Sequence, residues 1–256
     1  MSAIKEPNFF VVPRNAHYAK RRVANLDMYE QLFDPIVPVR GEASTSYADY
    51  PRRQGVPERI KELVPGAKFI YLVRDPIART VSHYQHLVAS EGERRPLRKV
   101  LGDLSDRHSP CICPSMYASQ LDRYLLHFPQ ERIMVVDQAE LLADRRSTLR
   151  QVFDFLEVDD RDVDMMQVED EFLKSSERRA YPPGFARFIG FTVAPRLQWL
   201  SPRARRSLRR SVDWMLPRLD ISTLDDELRA RLEQLYMTEV ERLRALTGKT
   251  FESWSL

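Results

Sequence analysis

This sequence predicts an α/β domain with a central, mainly parallel sheet, followed by a region that is helical only. Three observations carry that reading. Apolar runs of strand length alternate with stretches of helical periodicity through the first 156 residues, the order that lays helices against a parallel sheet. The run Lys68-Phe69-Ile70-Tyr71-Leu72-Val73 is almost continuously apolar, as a parallel strand buried on both faces is. Past Pro183 the patterning is helical throughout. The division expected is a core over residues 1–183 and a helical region over 184–256 packed on the same domain.

In chain order, Phe9–Val12 is a short apolar run ended by Pro13 and reads as a strand. Asn25–Phe33 places Leu26, Tyr29, Leu32 and Phe33 at helical spacing. Ile36–Val39 reads as extended and leads into Gly41-Glu42-Ala43-Ser44-Thr45-Ser46-Tyr47. Pro57–Val64 is a helix whose first turn tolerates its proline. After the strand at Lys68–Val73 comes Arg74-Asp75-Pro76, where Asp75 can cap a helix and Pro76 can take its first position. Ile77, Val81, Tyr84 and Val88 then give that helix a buried face. Ser115–Phe128 is a helix on Tyr117, Leu121, Tyr124 and Leu125. Arg132–Val136 is a second strand, and Ser147–Leu156 a helix on Leu149, Val152, Phe153 and Leu156. The last helix begins near Thr223 and stops at Gly248.

Composition narrows the function. The chain has 256 residues, and 40 Lys and Arg against 37 Asp and Glu leave a formal charge of +3, too balanced for a dedicated nucleic-acid binder. With 43% hydrophobic residues it can bury a core, which excludes disorder throughout. No apolar stretch approaches the ~18 residues of a membrane span, and Glu6, Pro7 and Asn8 break any signal-peptide pattern at the start. Cys111 and Cys113 are one residue apart, too close for an unstrained disulfide and too few for a zinc site even with His108. Reduced loop thiols are the reading, consistent with a cytoplasmic location.

The informative chemistry is at Arg74. In open α/β sheets ligands gather at the carboxyl ends of strands, and an arginine there offers a fork of donors to a phosphate. Ser82, eight residues on, can add a hydroxyl to the same anion. Taken alone, the pair reads equally as a capping surface arginine and a filler serine.

The stretch from Lys68 to Tyr84, with Arg74-Asp75-Pro76, Arg79 and Ser82-His83-Tyr84, closely resembles the 3′-phosphate-binding segment of sulfotransferases, in the form used by the heparan-sulfate type and related bacterial enzymes. Other segments agree in order. Lys5-Glu6-Pro7-Asn8-Phe9-Phe10 is similar to that branch's Lys-Glu-x-x-Phe-Phe strand, and Gly41–Tyr47 to its Gly-Glu-x-Ser/Thr-Pro-x-Tyr turn. Tyr117 with Leu121, Phe128-Pro129 with Arg132-Ile133, Glu140-Leu141 and Phe155-Leu156 follow its helix-strand-helix tail. The likeness runs from Lys5 to about Pro183, with an echo in the last helix and Trp254. It implies a three-layer fold related to P-loop nucleotide-binding folds.

The resemblance implies an activity and roles. The co-substrate is 3′-phosphoadenosine-5′-phosphosulfate (PAPS), its product 3′-phosphoadenosine 5′-phosphate (PAP), and the acceptor a hydroxyl or amine of a carbohydrate, lipid or small metabolite. No metal is required. Arg74 and Ser82 hold the 3′-phosphate. Glu6 is the catalytic base and Lys5 stabilises charge on the sulfuryl oxygens. Arg178 and Arg179, with Lys174 behind them, belong to a basic loop over the cofactor phosphate or, equally, to a solvated loop. Tyr117 falls near the cofactor by family position, and is read first as a core aromatic. His17 is the alternative base, by analogy with the small-molecule branch, while His83 and His86 are assigned to the helix surface or its packing.

Two departures stand out. The family's Gly/Lys/Thr-rich loop for the 5′-phosphosulfate precedes the Lys-Glu strand, and here only Met1–Ile4 precede Lys5; the expectation is a start further upstream. Ala43 stands where glycosaminoglycan-acting enzymes often carry lysine, which argues against a polyanionic acceptor. The dense run Arg203, Arg205, Arg206, Arg209 and Arg210, beside Trp199 and Trp214, is read as a solvated helix face, with weak contact to an anionic membrane surface or acidic acceptor as the other reading. A non-catalytic nucleotide-binding or interaction protein is the rival function. A P-loop kinase is disfavoured, because no Gly-x-x-x-x-Gly-Lys-Ser/Thr occurs.

Overall fold

The computed structural model describes residues 1–12, 23–161 and 224–256. His17, Lys174, Arg178, Arg179 and the arginine run at 203–210 lie outside the described residues, so their expected roles rest on the sequence alone.

Among the described residues two strands, β1 (Phe69–Val73) and β2 (Ile133–Asp137), pair in parallel, with Phe69 opposite Ile133 and Val73 opposite Asp137. Seven α-helices of four or more residues accompany them in the described residues: α1 (Leu26–Glu30), α2 (Val56–Leu63), α3 (Pro76–His86), α4 (Leu97–Val100), α5 (Tyr117–Leu125), α6 (Gln138–Ala143) and α7 (Arg145–Leu156), before the long α8 (Asp226–Thr247). The α/β expectation is met, and the order strand, helix, strand, helix is the one the sequence predicts.

Residues 69, 71 and 73 of β1 face the core with Val135 of β2, Ile77 of α3 and Tyr117 and Leu121 of α5. Helix α8 seals this side with Leu228, Leu232, Tyr236, Val240 and Leu243, all buried. Removing each such side chain from water stabilises the fold by ~1.5–3 kcal/mol. Charged and polar groups also tie it to α3 and α5. The buried Glu239 accepts from the Ser119 backbone N–H at 2.9 Å and its hydroxyl at 2.7 Å, in the first turn of α5. Thr80 of α3, fully buried, meets the Tyr236 hydroxyl at 2.7 Å, the Ser115 hydroxyl at 3.1 Å and the Pro76 carbonyl at 2.8 Å.

Three sequence expectations are corrected. Phe9–Val12 is not a strand: Glu6 and Asn8 take left-handed backbone angles (φ 54° and 53°), and the chain curls so that Val11 N–H donates to Asn8 O at 3.1 Å. The middle of the apolar run is buried in this turn, with Phe10 and Val11 packed among Val56, Ile60 and Phe128 while Val12 stays exposed. Ile36–Val39 is a series of bends, with Ile36 88% exposed. Strand β1 is not buried on both faces, because Ile70 and Leu72 remain 44% and 49% exposed on the face opposite the core. Helices α6 and α7 pack against β2.

The cysteines are free and buried, Cys113 opening a tight turn at Cys113–Ser115. Burial raises Cys111 to about 12 and Cys113 to about 11, so both are neutral thiols at physiological pH. No described helix is long and apolar enough to cross a membrane.

Candidate active site

Strand β1 ends at Val73, and the next residue is Arg74. Asp75 accepts the Ala78 N–H at 2.7 Å through Oδ1 and so caps α3, with Pro76 at its first position. Arg74 is thereby held at a strand end beside a helix N-terminus, where backbone amides favour an anion. Its carbonyl accepts the Tyr117 hydroxyl at 2.9 Å. Tyr117 is thus both a core aromatic and a wall of the site, and burial lifts its phenol to about 12.

Helix α3 turns Ile77, Thr80 and Tyr84 inward. The residues at 79, 82, 83 and 86 fall on another stripe, at the i, i+3, i+4, i+7 spacing of one helix face. That stripe is Arg79, Ser82, His83 and His86, and all four line a cavity of about 300 Å³ together with Arg74 and Tyr117. The structure therefore brings Arg74 and Ser82 to one cavity. His83 and His86 lie on the helix surface, as expected, and from there they also line the cavity. Polar residues recurring at helical spacing opposite the apolar set were the available signal.

Arg79, His83 and His86 also line a second cavity of about 700 Å³, whose other walls include Lys5, Glu6, Thr45, Asp49, Arg52 and Arg53. The expected base and lysine are therefore separated from the Arg74 cavity by one shared wall. Arg79 is steadied in that wall by donating to the Ser115 hydroxyl at 3.3 Å.

The backbone that carries Lys5 and Glu6 has no regular structure, so side chains fix it. Glu42 is the centre. Its Oε1 accepts the Tyr29 and Tyr47 hydroxyls at 3.0 and 2.6 Å, and its Oε2 accepts the Ser44 hydroxyl at 2.7 Å. Ser44 Oγ in turn accepts the Asn8 backbone N–H at 3.1 Å, and Ser46 donates to Asn8 Oδ1. Thr45 donates to Glu6 Oε1 at 3.3 Å. Burial, helped by the Glu42 charge, pushes the Tyr29 and Tyr47 phenols up, so both stay donors. Glu42 is a functional support that sequence reading left without a role.

Asp49, Arg52 and Arg53 form the far wall. Arg52 Nη1 meets both Asp49 oxygens at 3.3 and 3.2 Å, and Arg53 Nε lies 3.9 Å from Oδ2. Burial raises the Asp49 carboxyl above the usual carboxylate range, an effect that the two arginines offset only in part. Gln120 pins the adjoining loop by bonding both backbone groups of Tyr50 at 2.8 Å. These residues were not singled out by the sequence reading, and no periodicity marks them.

A family model described as "Sulfotransferase family" matches residues 8–162, more than half the chain. The chain belongs to the sulfotransferase family. Arg74 and Ser82 lie inside the matched residues; Lys5 and Glu6 lie just before them, and Arg178 and Arg179 beyond. Among curated proteins, this family member is 29% identical over 153 residues to human bifunctional heparan sulfate N-deacetylase/N-sulfotransferase 3, covering 52% of this chain and 16% of that protein. It is 31% identical over 105 residues to mouse heparan sulfate glucosamine 3-O-sulfotransferase 3B1, covering 39% and 27%. The chain thus spans less than a third of the length of these curated relatives. A solved sulfotransferase from Alicyclobacillus acidocaldarius shares the fold across 100% of this chain and 87% of its own, with a TM-score of 0.65 at 23% identity.

Proposed function

We propose that this family member transfers a sulfuryl group from PAPS to a hydroxyl or amine of an acceptor, the carbohydrate class being favoured because the curated relatives' names concern heparan sulfate. The observation that carries the reading is the adjoining pair of cavities. One holds Arg74 and Ser82, the other Lys5 and Glu6, and they share Arg79, His83 and His86.

The donor sets suit the two halves of the reaction. Arg74 and Ser82 give the 3′-phosphate a charged fork and a hydroxyl, next to the capped end of α3. In the second cavity the acceptor oxygen or nitrogen attacks sulfur, the sulfur–oxygen bond to the 5′-phosphate breaks, and PAP leaves. Glu6 takes the acceptor's proton, a role worth ~10²–10⁴-fold when the base is well placed. Lys5 offsets charge on the sulfuryl oxygens, which matters most where charge develops in the transition state.

Titration calorimetry with PAP and with adenosine 5′-phosphate tests the nucleotide half. PAP is expected to bind more tightly, and Arg74→Ala to lose ~1.5–3 kcal/mol of that affinity. Equal affinity for the two nucleotides, or an Arg74→Ala protein with unchanged PAP affinity, overturns the assignment. Transfer of label from radioactive PAPS to a panel of carbohydrate acceptors tests the other half.

A further inference from the structure

The segment after α8 crosses the carboxyl ends of both strands. Ser255 donates its backbone N–H and its hydroxyl to Asp75 Oδ2, each at 2.7 Å, while Asp75 Oδ1 caps α3 at Ala78. One carboxylate therefore serves the helix with one oxygen and the tail with the other. Two residues earlier, Ser253 donates to Asp137 Oδ2 at 3.2 Å. Asp137 is the last residue of β2 and lies opposite Val73, the last residue of β1. The two serines thus tie the exits of the two strands together.

Between them sits Trp254. It is buried, stacked on Phe251 with ring centres 4.3 Å apart, and 5.8 Å from the ring of Tyr117. Tyr117 is the residue whose hydroxyl holds the Arg74 carbonyl. Arg244 of α8 fastens the tail at both ends, donating to Thr250 O and Leu256 O at 2.9 Å. Phe251 is held at φ 52°, a region unfavourable to a bulky side chain and kept only where surroundings over-determine it. The backbone of Arg74 is thus restrained on one side through Tyr117 and on the other through Asp75, and both restraints lead to the same six residues.

We propose that residues 251–256 help build the Arg74 cavity, with Trp254 and Ser255 as positioning residues that set the backbone from which Arg74 and the first turn of α3 face a bound phosphate. Charge-assisted bonds to phosphate depend on donor geometry, and groups at a site act only as well as their supports hold them. The nucleotide arm of the test rests on the function proposed above; the exchange arm does not.

The decisive variant is Ser255→Pro, which removes both donors because proline has no N–H. Asp75→Asn is its partner: asparagine still caps a helix but puts an amide where Oδ2 must accept. Calorimetry with PAP and amide hydrogen exchange at Ala78, Arg79 and Thr80 are read on the full chain. Both variants are expected to weaken PAP binding about tenfold, the size of one charge-assisted bond, and to speed exchange in the first turn of α3 about tenfold. Ser255→Ala, which keeps the backbone donor, falls between, and Ser255→Thr restores wild-type values. Unchanged exchange overturns the proposal, as does faster exchange with unchanged PAP affinity. If the unaltered chain binds no PAP, the function proposed above fails, and exchange alone then decides the tie. If Ser255→Pro does not fold, Asp75→Asn decides by the same two measurements.

Discussion

The two walls of the site are built in opposite ways. The Arg74–Ser82 wall is a strand, a cap and a helix, each formed by neighbours in sequence. The Lys5–Phe10 wall has no regular backbone, and is held by hydroxyl and amide bonds that reach 36 to 39 residues along the chain to Ser44, Thr45, Ser46 and Tyr47. Local propensity therefore forms the elements of the phosphate side, and the distant ties from Tyr117 and Ser255 only set their final placement. The proposed base depends on a polar network centred on one carboxylate, Glu42, and polar networks of that kind lose more than one bond when a member is removed.

The sharpest test of this contrast is Glu6→Gln in an active preparation. It is expected to lower kcat ~10²-fold or more while PAP affinity stays near normal, because glutamine keeps shape and hydrogen bonding but cannot take a proton. His17→Ala is the control: normal turnover in Glu6→Gln with loss in His17→Ala would move the base to the histidine.

Next in size is Glu42→Ala, which strands the Tyr29, Tyr47 and Ser44 hydroxyls. A loss of ~2 kcal/mol in urea unfolding is expected. Turnover should fall further than that loss explains, with PAP affinity little changed. Equal damage to both walls would mean that they are not built separately.

Asp75→Ala addresses the other wall. Loss of a helix cap costs ~1 kcal/mol, and here PAP affinity is the property expected to fall, with the Glu6 side spared. Tryptophan and tyrosine fluorescence melts alongside calorimetry would show the split.

The smallest difference between the walls is expected at high pH, where both weaken together. Cys111, Cys113 and Tyr117 sit at about 12, 11 and 12 in the fold, above their unfolded values of roughly 8.5 for thiols and 10 for phenol. The folded state therefore keeps protons that the unfolded chain releases, and stability falls as pH rises. Urea midpoints should be level below about pH 8.5 and decline from about pH 9 toward 12. A flat profile to pH 11 would contradict the burial of these groups.

The difference between the walls also explains what could be read beforehand. The β1–Asp75–Pro76–α3 unit was legible because each signal in it is local: an apolar run, a capping carboxylate, a first-turn proline, a helical repeat. The same apolar cue misled at Phe9–Val12, where positive φ angles at Glu6 and Asn8 turn the chain away from a strand. Nothing in a linear pattern shows that Asn8 will meet Ser44. Burial of Ile70 and Leu72 was over-read for a related reason, since composition describes a strand and not the neighbours it receives. His83 and His86 were within reach of sequence reasoning, as members of a polar stripe with Arg79 and Ser82.

The Thr80 hydroxyl carries a last consequence, in the direction in which its protons point. A hydroxyl has one proton and two lone pairs. The Pro76 carbonyl, at 2.8 Å, can only accept, so it takes the Thr80 proton. Tyr236, at 2.7 Å, must then be the giver, as its raised phenol allows. Ser115, at 3.1 Å from the same oxygen, can give to it or to the Cys111 carbonyl, and in either case its own oxygen is left to receive from Arg79. Two lines of donation therefore run inward, one from Tyr236 on the last helix and one, through Ser115, from Arg79 on the wall that both cavities share, and they end on the backbone carbonyls of Pro76 and Cys111 beside Thr80. Valine at 80 would keep the volume and remove the oxygen on which the two lines meet, leaving Ser115 alone to receive the Tyr236 proton.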